Sequence, residues 1–324
     1  MYKTIERLCT PPDAGEIFVS TNAEDPRLGN LVTPLTELKE PAPVRCAIIG
    51  VPQHIGVERN GGRPGAAAGP SAIRRSLYKM ATSTVQHAFE RKHIKLADCG
   101  NIDCEGKTLE QIHDEVHDVV RFLLQENIVP IVLGGGHDTA WPSLMAHGTM
   151  GKPFGIINID AHADVRPLID QSRAHSGSPF RQVLEYHGSL IPPGAMVEYG
   201  LQETAVAASH LQYLRQHKAS VFMLGEARER TTARLAIGKA GVAERIHLSL
   251  DMDVFASAFS PGVSAPSADG LYPEQVAFLV RSTAQSGYLK SFDVVETCPP
   301  FDVDNRTAKL AATMIMQVVI GLAQ

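Results

Sequence analysis

From residue 44 onward, short apolar runs alternate with longer segments in which apolar residues recur every three or four positions. Cys46–Gly50, Ile94–Ala97, Val129–Leu133, Phe154–Ile159, Met196–Gly200, Ser220–Leu224, Arg245–Leu250 and Tyr288–Val295 are too short for helices and predict eight strands. Between them, Pro70–Met80, Leu109–Leu124, Pro273–Ser286 and Arg306–Leu322 carry the helical period, and Pro70 suits a first helical turn, where its missing N–H is not needed. Strands alternating with helices imply a parallel sheet covered on both faces, because a parallel crossover needs a connection about as long as a helix. A doubly wound sheet and an eight-stranded barrel both satisfy this rhythm, and both gather chemistry at the carboxyl ends of their strands. Residues 1–43, rich in Pro, Asp, Glu and Thr and without a sustained period, predict an irregular N-terminal extension on the surface. No linker-like tract divides residues 44–324, which predicts one catalytic domain.

Composition narrows the class. With 324 residues, 44% hydrophobic and 20% charged, the chain can bury a large core. A net charge of −5 lacks the clustered Lys and Arg that nucleic acid requires, so no nucleic-acid partner is expected. The five cysteines are odd in number and lack zinc-site spacing, which fits a reducing compartment. No signal-like start and no stretch of roughly 18 apolar residues stands out, so the expectation is a cytoplasmic protein without a membrane partner.

Four strand ends carry unusual chemistry. Val129–Leu133 runs into Gly134-Gly135-Gly136-His137-Asp138, Phe154–Ile159 into Asp160-Ala161-His162-Ala163-Asp164, Arg245–Leu250 into Asp251-Met252-Asp253, and the last strand reaches Glu296. Side chains alternate along extended backbone, so Asp160, His162 and Asp164 can converge on one side, as can Asp251 and Asp253. Buried carboxylates in such number cannot all stay ionised without cations, since like charges in a desolvated site raise one another's pKa. Two divalent metals resolve the conflict, with Asp160 and Asp251 as bridging candidates. Oxygen and imidazole ligands without thiolate favour Mn2+, while Zn2+, Ni2+ and Co2+ remain open by residue type. Two such ions about 3.5–4 Å apart would activate a water near neutral pH, so no Ser or Cys nucleophile is needed.

Other signals carry less. His113 and His117 nearly spell a zinc-protease helix, but Asp114 stands where that motif needs Glu, and the apolar stripe beside them predicts a solvated histidine pair on a packed helix. Gly61–Gly69 lacks a P-loop ending and reads as a substrate-side loop. Asp302-Val303-Asp304 reads as helix capping, with Asp304 or Asn305 as the cap, and His87, His147, His187, His210, His217 and His247 read as structural.

In order and spacing, Gly134–Asp138, Asn158–Asp164 and Ser249–Asp253 resemble the three metal motifs of the ureohydrolases, the arginases, agmatinases and formimidoylglutamases. The resemblance spans about Cys46 to Leu322. It implies a three-layer α/β/α fold with an eight-stranded, mostly parallel sheet. It also implies one Mn2+ held by His137, Asp160, Asp164 and Asp251 and a second by Asp160, His162, Asp251 and Asp253. His175 would shuttle protons, and Glu296 would receive the cationic N–C–N group of the substrate. A homo-oligomer, trimer or hexamer, is expected on the same ground.

The stretches Asn60–Ala66, His175–Gln182, Tyr199–Gln202 and Ser260–Pro266 are most similar to formimidoylglutamases, although Ser178 stands where Thr is common and His54 where an acidic residue is common. The resemblance therefore implies N-formimidoyl-L-glutamate as substrate, with glutamate and formamide as products and Asp164 among the catalytic groups. Two substrate carboxylates call for guanidinium forks, and Arg59, Arg63 and Arg181 are the candidates, with Asn60 and Gln202 beside them. The alternatives are an agmatinase or another guanidino-acid hydrolase, which would release urea, and, further off, a metal-dependent deacylase, which would use a single ion.

Overall fold

The computed structural model describes residues 2–37, 43–92 and 94–324. Residues 1 and 38–42 of the expected extension lie outside them. Ten strands join one sheet: β1 (Cys9–Thr10), β2 (Val32–Pro34), β3 (Val44–Gly50), β4 (Lys95–Ile102), β5 (Val129–Leu133), β6 (Gly155–Ile159), β7 (Met196–Leu201), β8 (Ser220–Met223), β9 (Ile246–Asp251) and β10 (Leu289–Val295). Their spatial order is β4-β3-β5-β10-β9-β6-β7-β8, with β1 and β2 on the outer side of β4. Among the described residues, only β1 of these strands runs antiparallel to its neighbour.

The eight strands expected from periodicity are β3 to β10, and the extra two correct the count. They arise from the N-terminal segment, which is therefore not an irregular surface extension. Its helix Lys3–Leu8 buries Ile5, and Leu28 and Leu35 are fully buried as well. Strands of two and three residues are too short to leave a period in the sequence and exist here because β4 offers them a partner.

Alternation along the strands resolves the choice between sheet and barrel. Ala47, Ile49 and Val132 pack with Ile112, Val116 and Val119 of helix Leu109–Gln125, whereas Ile48, Ile131 and Leu133 pack on the opposite face with Ile73, Leu77 and helix Arg306–Ala323. One strand thus serves two cores, which defines an open sheet between two helical layers. Helix Leu109–Gln125 starts on a reciprocal cap, Thr108 Oγ1 accepting from Gln111 N and Gln111 Oε1 accepting from Thr108 N. Helix Arg306–Ala323 is long and apolar enough to cross a bilayer by length and composition alone, yet two-thirds of it (67%) is buried in the core. Asn305 holds the N-cap position as expected but makes no side-chain cap bond; the first turn is satisfied instead by Asp302, which accepts from Thr307 N and Ala308 N at 3.0 and 3.1 Å.

The strand order places the chemistry. β5 and β6 are consecutive parallel strands, but β10 and β9 lie between them, so the four carboxyl ends bearing polar clusters are immediate neighbours. Val294 pairs with both Leu133 and Leu250, and Leu250 with Ile159, which keeps those ends level. Such a break in strand order opens a crevice at the carboxyl edge of a doubly wound sheet.

Candidate metal centre and active site

The first polar strand end requires glycine: a Cβ on Gly135 would lie 1.6 Å from the Gln53 carbonyl oxygen, so the chain leaving β5 passes where no side chain fits. That path delivers His137 into the crevice, almost completely buried. Its Nδ1 lies 3.2 Å from Asp160 Oδ2, 3.0 Å from Asp164 Oδ2 and 3.1 Å from Asp251 Oδ2. Beside it, His162 Nδ1 lies 3.1 Å from Asp253 Oδ2 and 3.5 Å from Asp160 Oδ1. Two groups of possible metal ligands result, His137 with Asp160, Asp164 and Asp251, and Asp160 with His162 and Asp253. Asp160 joins them by pointing one oxygen at each. Asp251 falls in the first group only, so its expected place in both is not reproduced. Two of the site carboxylates, Asp164 (φ 45°) and Glu296 (φ 62°), sit on left-handed backbone, a costly conformation for a non-glycine residue that surrounding contacts must enforce.

Protonation responds to this crowding. Burial pushes Asp251 well above the usual carboxylate range, and repulsion from Asp253 and Asp160 adds to it. Burial likewise raises Asp253 to about 6, against the attraction of His162, and raises Glu296 to about 8, where the His137 backbone N–H pulls the other way. Burial alone would lower His137, but the close approach of the Asp160, Asp164 and Asp251 carboxylates outweighs it and holds the ring well above its ordinary value. The charge of Asp253 drives His162 strongly upward. Burial opposes ionisation of Asp160, yet His137 and His162 pull it below the ordinary range. Protonated imidazoles thus supply the positive charge that the carboxylates demand, which is the role two divalent cations would fill.

Residues and metal fit one another by a second criterion. His137 Nδ1 is buried without an aligned hydrogen-bond partner among the described residues, although three carboxylate oxygens face it within 3.2 Å. A ring nitrogen facing three carboxylate oxygens with no aligned bond to any of them suits a cation once the ring has given up its proton.

A cavity of about 190 Å³ opens over these groups, lined by Asn60, Gly61, Gly62, His162, Asp164, Arg166, Ser176, Asp251, Asp253, Ser264, Ala265 and Glu296. Glu296 Oε1 accepts the His137 backbone N–H at 2.9 Å, while Oε2 is buried and unpartnered among the described residues. Arg166 at the mouth donates to Asn60 Oδ1 at 3.3 Å, and Asn60 Nδ2 donates to Ser176 Oγ at 3.0 Å. The cavity therefore has an anionic floor and one guanidinium at its rim.

The structure brings His137, Asp160, His162, Asp164, Asp251, Asp253, Glu296 and Asn60 together, and leaves five expected site residues outside. His175 is 4% exposed and off the cavity wall, with Nε2 3.0 Å from the Pro167 carbonyl and Nδ1 accepting from Gly177 N at 3.2 Å, so backbone engages both ring nitrogens. Arg59 pairs with Glu110 and donates to the Ala174 carbonyl. Arg63 donates to the Ser264 and Val263 carbonyls and stacks on Phe301. Arg181 donates to the Val165 carbonyl, pairs with Glu185 and stacks on Tyr213. Gln202 donates to the Asp269 carbonyl and lines a neighbouring depression. The three arginines brace loops, and the guanidinium that reaches the cavity is Arg166. It continues the alternation Asp160, His162, Asp164 by one more step, which was the available signal for it.

The expected solvated pair His113 and His117 is also corrected. His113 is buried, with Nε2 2.9 Å from Asp138 Oδ2, an oxygen that also accepts from Gln53 Nε2 at 2.8 Å.

The chain belongs to the arginase family, whose family model matches residues 44–321. Within that class it is most similar to formimidoylglutamases. The formimidoylglutamase of Rhodococcus opacus is 33% identical over 320 residues, covering 95% of each chain. A crystal structure of Trypanosoma cruzi formiminoglutamase with Mn2+ superposes with a TM-score of 0.83 at 32% identity, covering 93% of this chain and 99% of that one. The proclavaminate amidino hydrolase of Streptomyces clavuligerus follows with a TM-score of 0.78 at 28% identity, covering 90% and 94%.

Proposed function

We propose that the protein hydrolyses N-formimidoyl-L-glutamate to L-glutamate and formamide, with two Mn2+ held by His137, Asp160, His162, Asp164, Asp251 and Asp253. Hydrolysis of a C–N bond in a linear amidine is the reaction class of the relatives it groups with. The observation that carries the finer reading is the polarity of the cavity, an anionic floor at Glu296 and a single guanidinium, Arg166, at the rim. A substrate cationic at one end and anionic at the other matches both. Agmatine, cationic at both ends, leaves Arg166 without a partner.

Bound at the two side-chain groups, the cations would polarise a water and lower its pKa toward neutrality. The unpartnered Glu296 Oε2 takes an N–H of the formimidinium and holds the amidine carbon over the floor. Arg166, Asn60 and Ser176 take a substrate carboxylate at the rim. Asp164, the most exposed of the grouped carboxylates at 12%, accepts the proton of the attacking water and returns it to the departing glutamate nitrogen. One water is consumed and the C–N bond between the formimidoyl carbon and glutamate breaks.

A guanidino acid shares this charge pattern, and the likeness to an amidino hydrolase keeps it as the second reading. The test is turnover by Mn2+-loaded protein on N-formimidoyl-L-glutamate, agmatine, arginine and short guanidino acids. Formamide with glutamate supports the proposal, urea from a guanidino acid moves the assignment to the second reading, and turnover of agmatine in preference to both refutes the use of Arg166.

A further inference from the structure

His137 has partners on two sides. While Nδ1 faces the carboxylates, Nε2 lies 3.0 Å from Ser249 Oγ on β9. The Ser249 hydroxyl donates to Asp293 Oδ1 on β10, and neither residue is exposed to solvent. A carboxylate only accepts, and a serine has one hydroxyl proton to give. With that proton committed to Asp293, Ser249 Oγ is left to accept at His137 Nε2, which must then carry a proton.

The far side of Asp293 leads to the same assignment. Oδ2 lies 2.9 Å from His247 Nε2, close though off the line of a hydrogen bond. His247 Nδ1 is 2.7 Å from Ser291 Oγ, which is 2.7 Å from His147 Nε2, and all three residues are buried. His147 Nδ1 has no partner among the described residues. A buried unpaired acceptor is tolerated more readily than an unpaired donor, so the His147 proton belongs on Nε2. Ser291 accepts it and donates to His247 Nδ1, which leaves the His247 proton on Nε2 facing Asp293. Counting donors from either end makes Asp293 an acceptor on both oxygens.

We infer that Ser249 and Asp293 are positioning residues that keep the His137 proton on Nε2, so that Nδ1 presents a lone pair to a cation held with Asp160, Asp164 and Asp251. The inference rests on the two-cation reading above. Groups behind a metal-bound histidine fix ring orientation and tautomer, and losing them typically weakens metal binding about 10- to 100-fold. The second group, built on His162, has no share in this chain.

The experiment is Mn2+ titration of the metal-free full chain, with free Mn2+ read by its EPR signal and thermal melts confirming that each variant folds. In Ser249→Ala one of two sites is expected to weaken by about 10- to 100-fold while the other keeps its affinity. Ser249→Thr, which keeps the hydroxyl, should restore the first. Ser249→Cys, whose sulfur is a weak acceptor, gives the same comparison should the alanine variant not fold. Wild-type affinity at both sites in Ser249→Ala, or equal weakening of both, overturns the inference. Uptake of fewer than two ions by the wild-type chain overturns instead the two-cation reading beneath it.

Discussion

Replacing Glu296 by Gln separates charge from shape at the cavity floor. The amide oxygen can still accept the His137 backbone N–H now held at 2.9 Å, so the strand end stays in place. What disappears is the negative charge offered by Oε2 to a cationic amidine. A hydrogen bond with a charged partner contributes about 1.5–3 kcal/mol, which corresponds to a fall of roughly 10- to 150-fold in kcat/KM. The same substitution has an opposite consequence for the fold without metal. Glu296 titrates at about 8 in the folded chain against 4.5 ordinarily, chiefly because it is buried. Below the lower value both states are protonated, and between the two only the folded state keeps the proton, so its raised pKa makes stability decline as pH rises through that window. The Gln variant lacks this decline. Its metal-free Tm should match wild type on the acid side and gain on it steadily toward the alkaline side. Steady-state kinetics on the Mn2+-loaded enzyme and melts of the metal-free enzyme at both ends of the window check the two halves. Unchanged kcat/KM, or a Tm difference independent of pH, refutes the reasoning.

Arg166→Met should raise KM for N-formimidoyl-L-glutamate with little effect on kcat. Because Arg166 is exposed at the rim, screening limits the loss to about 1 kcal/mol, roughly fivefold in KM, and a fall confined to kcat would contradict its placement. Mn2+ affinity should climb as pH rises from about 6, because Asp253 titrates near 6 and Asp251, His137 and His162 are all shifted upward and must shed protons to bind a cation. Calorimetry in buffers of different ionisation enthalpy measures the protons released, and binding without release would count against this ligand set.

The parts legible in the sequence share one property, that their signal is local. β3 to β10 were legible because strands buried on both faces are continuous apolar runs, and Asp160, His162 and Asp164 because three ligand-type residues at every second position directly follow such a run, although the backbone that carries them is bent and turns left-handed at Asp164. Pairings between distant segments were not legible. β1 and β2 are defined only by β4, and Arg63 is taken up by the Val263 and Ser264 carbonyls, 200 residues or more away along the chain. His147 and His247 looked inert for the same reason, since Ser291 joins them only once β9 and β10 lie side by side. His175 carries a family motif, but its ring nitrogens are satisfied by Pro167 and Gly177, whose orientation is fixed by the loop and not by the residue type.

The stretch that matches the family begins at residue 44, yet the sheet is finished by residues before it. β1 and β2 occupy the outer rim of β4, and Glu16 lies 3.6 Å from the wholly buried Arg74, close to its partner Asp98. Without these residues β4 would offer a bare row of amides and carbonyls to any passing chain, and Arg74 would lose a neighbouring anion. The N-terminal segment therefore covers a strand edge that β4 would otherwise expose, far from the catalytic crevice.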